Sequence, residues 1–134
     1  MRRLLLAAVA IGGLASASAP LSAHHAFSAE FDTNKPLKFQ AVVTKMEWVN
    51  PHAWIHVDVK QPDGSVVKWM IEAAAPNSLL RRGWTKESLL PGTEILVEGF
   101  LARDGTNKAN GSVITYADGR KLFVGSPGTG APEP

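Results

Sequence analysis

The chain has 134 residues, a length suited to one domain rather than two, with 45% hydrophobic and 19% charged residues. That balance excludes a disordered charged tail, and the absence of cysteine excludes a disulfide scaffold, thiolate metal sites, cysteine nucleophiles and a lipidated N-terminal cysteine. The formal charge is +2, and its meaning depends on where the charges sit.

Arg2 and Arg3 form a positive start, Leu4 to Ala15 is an uncharged apolar run, and Ser16 to Ala23 is rich in small residues. This is the three-part pattern of a signal peptide over residues 1–23. The apolar run is about twelve residues, short of the roughly twenty that span a bilayer. No second apolar run follows, so no membrane span is expected after cleavage, and the protein is expected to be periplasmic or secreted. Cleavage is expected after Ala23, which makes His24 the new N-terminus. Ala17-Ser18-Ala19 also fits the small-residue rule but would leave Pro20 directly after the cut. Removing the leader takes Lys plus Arg from 14 to 12, equal to the 12 acidic residues. The basic excess therefore belongs to the leader and does not argue for nucleic acid.

Residues 24–37 read as a polar and aromatic lead-in, with Phe27 and Phe31 as anchors. Phe39 to Val49 is a predicted strand, rich in Val42, Val43, Thr44 and Val49, and interrupted at Asn50-Pro51. The next strand alternates: Ala53, Ile55, Val57 and Val59 face one way, and His52, Trp54, His56 and Asp58 the other. Pro62-Asp63-Gly64 turns the chain into Ser65 to Glu72, with Val67, Trp69 and Ile71 on one face. Pro76 to Arg82 reads as a short helix stopped by Gly83. Thr85 to Leu90 adds one more helical turn, with Thr85 as N-cap. Glu94 to Ala102 is a strand with a bend at Gly99. Asp104 to Gly111 reads as a polar loop. Ser112 to Tyr116 and Lys121 to Val124 form a hairpin across Asp118-Gly119. Residues 125–134 read as a disordered tail.

This order predicts a mainly β domain over residues 24–124. It matches a small OB-type antiparallel β-barrel with a short helix between the third and fourth strands. An open β-sandwich has the same periodicity and is the alternative.

No catalytic motif is present: there is no nucleophile elbow, no H-E-x-x-H, no P-loop and no dinucleotide fingerprint. The protein is therefore expected not to be an enzyme. Histidine placement is the unusual feature, because His24, His25, His52 and His56 all fall in the first part of the exported chain. A free α-amine at His24 together with imidazoles is a nitrogen-rich donor set that suits copper over calcium or magnesium. His52 and His56 share a face but stand about 13 Å apart along a strand, so the two cannot hold one ion between them. Either is expected to join His24 or His25 if the lead-in folds back. Asp58 is the expected orienting partner of His56, and Glu47 and Glu72 are further carboxylate candidates with no spacing behind them. The rival reading is an envelope interaction module without metal. There the Trp54 and His56 face docks an envelope protein or a small ligand. In bland terms, His24 and His25 are a solvated terminus, His52 bonds loop backbone, and Met46 and Met70 fill the core.

Several short blocks carry a likeness: His24-His25-Ala26-Phe27, Glu30-Phe31-Asp32, Glu47-Trp48 with Asn50-Pro51-His52, Arg82-Gly83-Trp84, Asp104-Gly105 and Asp118-Gly119-Arg120. Together they resemble a family of small secreted bacterial proteins catalogued only as a domain of unknown function. The resemblance spans nearly all of residues 24–124. It implies an exported, single-domain β protein and brings no established activity.

Overall fold

The computed structural model describes residues 26–132. Residues 26–30 are helical. They lead into β1 (Phe31–Glu47), β2 (Trp54–Lys60) and β3 (Val66–Glu72). A short helix, Pro76–Arg81, precedes β4 (Glu94–Ala102), β5 (Lys108–Tyr116) and β6 (Lys121–Phe123). No described helix is long and apolar enough to cross a membrane.

The strands form one six-stranded sheet in the order β3-β2-β1-β4-β5-β6. All neighbours are antiparallel except for an added pairing of β3 with β5, which is parallel: Met70, Ile71 and Glu72 stand against Lys108, Ala109 and Asn110. That pairing closes a ring of hydrogen bonds through β1 to β5.

β1 makes the ring possible by changing partners. Pro36 to Val42 pairs with β4, and Val42 to Glu47 pairs with β2, with a bulge between Val43 and Lys45. It also begins eight residues earlier than β propensity predicts, inside the expected lead-in. Thr33-Asn34-Lys35 is a poor strand sequence and falls at an irregularity in the pairing, but Phe31 opposite Ala102 and Pro36 opposite Phe100 hold the segment to β4 at both ends and override propensity. β5 likewise begins within the expected polar loop, at Lys108, because Ala109 and Asn110 complete the ring and are buried. Gly99 is a bend for a physical reason: a Cβ there would overlap the Asn110 carbonyl oxygen at the β4–β5 register shift.

The alternation predicted for β2 is present. Ala53, Ile55, Val57 and Val59 are buried, joined by Val43, Ile71, Ile95, Val97 and Ile114. The short helix starts with Pro76 in its first turn and buries Leu79. Trp84 N donates to Leu79 O at 3.0 Å and Gly83 has φ 87°, so the chain leaves the helix with Trp84 turned into the core. Residues 125–132, where composition predicts a disordered tail, carry a turn. Arg82 Nη1 donates to Gly125 O at 2.6 Å, and Thr129 is buried.

Candidate functional site

β2 displays its polar face between β1 and β3, and register decides what each side chain meets. Trp54 stands opposite Glu47 on one side and Glu72 on the other, His56 lies between Lys45 and Met70, and Asp58 between Val42 and Lys68. Each histidine thus finds a carboxylate from a neighbouring strand. His52, just ahead of β2, has Nδ1 3.2 Å from Glu72 Oε1. His56 has Nε2 3.4 Å from Glu47 Oε2. Asp58, expected to orient His56, instead pairs with Lys68 at 3.4 Å. Asp58 and His56 are both on the outer face but two residues apart along the strand, whereas Glu47 reaches His56 across it.

The two pairs differ in environment. Glu47 is bound by Lys45 and faces His56, and these contacts, Lys45 first, hold its carboxyl below the usual range. Glu72 is buried (5% exposed), and so is Asn110 (0%), whose Nδ2 donates to the same Glu72 oxygen at 3.2 Å. Burial pushes the Glu72 carboxyl up, against the pull of His52, and Glu30 pushes the same way. Asn110 reaches Glu72 only because the parallel β3–β5 pairing sets them opposite each other.

His52 and Glu72 line a cavity of about 370 Å³ together with Ala26, Phe27 and Phe31. The segment before β1 is pinned over it. Phe27 packs against Phe31 and Phe100 at ring separations of 5.8 and 6.3 Å. Lys108 pairs with Glu30, and Arg103 Nε donates to Ser28 O at 2.7 Å. Phe27 and Phe31 are thus the anchors the sequence predicts. Ala26 directly follows His24 and His25 in the sequence; both histidines, and the cleavage site, lie outside the described residues.

His56 lines a different cavity, with Lys45, Lys68 and Met70. The structure therefore separates His52 from His56, in keeping with their spacing along the strand. Among the described residues, no group of three or more His, Asp or Glu side chains is placed to hold a metal ion. Trp54 is half-buried between the two His–carboxylate pairs. Glu47 and Glu72 enter the sequence reading without a spacing reason, and cross-strand register supplies one. Asn110 is missed altogether, because a parallel contact between distant strands leaves no local signal.

Fold and site define a mainly β protein in which His52, just ahead of the second strand, and His56, within it, each pair with a carboxylate of a neighbouring strand. The chain belongs to a family of unknown function, DUF6152, whose model matches residues 10–112. Comparison with curated proteins and with solved structures finds no match.

Proposed function

We propose that this is an exported, periplasmic OB-type barrel that binds a copper-like divalent cation through His24, His25 and His52, and that its role is binding rather than catalysis. The observation that carries this is that Ala26, next in sequence to the His pair, and His52 line one cavity. The barrel reading rests on connectivity. β1 pairs with both β2 and β4, β3 runs parallel to β5, and a short helix joins β3 to β4. β6 is an addition to that plan.

The residues suit such an ion. With Nδ1 of His52 turned to Glu72, Nε2 is the nitrogen left for a cation, and the buried carboxylate fixes the orientation of the ring. His24 and His25 add imidazoles, and cleavage after Ala23 adds an α-amine. His56, in its own cavity, is outside this set. To test the reading, the protein is expressed with its leader and recovered from the periplasm. Its N-terminus is read by mass spectrometry, and Cu(II) is titrated calorimetrically. One ion is expected to bind with Kd below about 10 μM. Blocking the α-amine or His52→Ala should each weaken it at least about tenfold, and His56→Ala should not. Weaker binding, or indifference to both changes, overturns the proposal.

The second reading is an envelope module without metal. It is favoured by the outer face on which half-buried Trp54 neighbours His56 and exposed Met70. Under it, copper does not bind and substitutions on that face release a partner.

A further inference from the structure

Asn110 is the only asparagine of the sequence followed by glycine; Asn34, Asn50, Asn77 and Asn107 precede Lys, Pro, Ser and Lys. That dipeptide is chemically reactive. The backbone nitrogen after an asparagine can attack the side-chain amide carbon, and a glycine there leaves the nitrogen unshielded by any Cβ. In this chain the Gly111 nitrogen bonds to Asn110 Cγ, the Cγ–Nδ2 bond breaks, and ammonia leaves with the Gly111 amide proton. Water then opens the cyclic imide at either of its carbonyls. One opening leaves an aspartate at position 110. The other routes the main chain through the side chain and lengthens it by a methylene.

The fold needs both residues. A Cβ on Gly111 would meet Ile71 Cγ2 at 2.8 Å and Val124 Cγ1 at 3.0 Å. Asn110 Nδ2 is the donor to buried Glu72 Oε1 at 3.2 Å. The closed ring also holds the dipeptide in an unreactive shape. Asn110 stands opposite Glu72 of β3 and Phe100 of β4, and Gly111 opposite Gly99. Cyclisation needs the Asn110 ψ to swing far from its extended value. That swing turns the Asn110 carbonyl, which is packed so closely on Gly99 that a Cβ there would overlap its oxygen. Asn110 is fully buried, so water is kept from it as well.

We propose that Asn110-Gly111 is a self-modification site that ring closure masks: a chain whose β5 is unpaired cyclises there, and its products no longer close the ring. An aspartate at position 110 sets a second carboxylate against Glu72 with no donor between them. The added methylene of the other product shifts the rest of β5 out of register with β4. The dipeptide thus limits how long an open chain stays competent to fold. This holds whether or not a metal binds at His52.

The test keeps the full chain at mildly alkaline pH, in buffer and in unfolding guanidinium chloride, and follows the amide-to-acid mass gain at each asparagine. In denaturant Asn110 should convert at least about tenfold faster than any other asparagine, and in buffer at least about a hundredfold more slowly than in denaturant. Denaturant is then diluted from samples of increasing age. The refolded fraction, read by near-ultraviolet circular dichroism, should fall in step with intact Asn110. The unrefolded fraction should hold the aspartate and its isomer. Asn110→Ala removes the reactive amide, and its refolding should not change with age. If that variant does not fold, the partition of modified wild-type chains between the two fractions decides alone. Equal conversion of Asn110 in buffer and denaturant, another asparagine reacting as fast, or refolded chains as modified as unrefolded ones overturns the proposal. So does an equal loss of refolding with age in Asn110→Ala, which would place the damage at Asp63, Asp104 or Asp118, each also followed by glycine.

Discussion

Asp63, Asp104 and Asp118 each precede a glycine, and each makes the same turn. The Oδ1 of each accepts the backbone N–H two residues on, from Ser65 at 2.9 Å, Thr106 at 3.0 Å and Arg120 at 3.0 Å. The glycines Gly64, Gly105 and Gly119 take φ of 87°, 77° and 87°, where a side chain is strained. The turns at Asp63-Gly64 and Asp118-Gly119 were legible in sequence because their cause is local, and the one at Asp104-Gly105 lies within what read as a polar loop. All three carboxyls are held below the usual range, chiefly by side-chain bonds from Ser65, Thr106 and Arg120. A folded pKa below the unfolded one gives stability that is present above the ordinary Asp range and lost as pH falls through the folded value. Asp118→Asn should therefore flatten the acid limb of stability against pH, measured by urea unfolding between about pH 2 and 6. The His52–Glu72–Asn110 cluster shows the opposite legibility: its histidine stands out in composition, but its partners follow only from register.

Glycines also separate two mechanisms at the level of elements. Gly64 has open space where a Cβ would go, so Gly64→Ala meets only the left-handed backbone and should cost about 1–2 kcal/mol. Gly99→Ala drives a methyl into the Asn110 carbonyl of the adjoining strand and should cost at least about 3 kcal/mol, because backbone must move. Urea midpoints at constant m-value rank the two. β1 raises a further question. It spans 17 residues, but its pairing with β2 covers only Val42 to Glu47, leaving the earlier half with a free edge on that side. Lys35, Pro36 and Lys38 lie along it, and Lys38 is paired with Glu98 at 3.3 Å. Charge and proline on an edge block strand addition from another chain. Replacing all three with valine should shift sedimentation towards larger species in analytical ultracentrifugation; unchanged sedimentation would show that the edge is protected by something else. The early start of β1 was hidden because the residues that guard an edge are also the residues that argue against a strand.

Taken whole, the molecule depends on side chains that fill a ring from inside. Ile55, Val57, Ile71, Ile95, Val97 and Ile114 come from its strands, and Trp84, Leu79 and Leu89 from the connection between β3 and β4. Trp84→Ala should cost about 3–5 kcal/mol by leaving a large void, read as a shift in the unfolding midpoint. The mainly β class and the strand order from β1 to β4 were readable from period-2 alternation and turn residues. The first half of the closing strand β5 was not, since Lys108-Ala109-Asn110-Gly111 has the composition of a loop. Gly111 earns its place by fit: a Cβ there would stand 2.8 Å from Ile71 Cγ2 and 3.0 Å from Val124 Cγ1.

The parallel β3–β5 link has a consequence in time as well as in space. Glu72 and Asn110 are separated by 38 residues, and contacts of such long span form late because the intervening loop must first be closed. A growing chain that has delivered β1 to β3 already holds His52 and Glu72 but lacks the strand that encloses them. The oriented imidazole is thus absent until nearly the whole chain has arrived. Stopping the chain before Lys108 should yield a protein in which Glu72 is solvated and His52 is free to rotate.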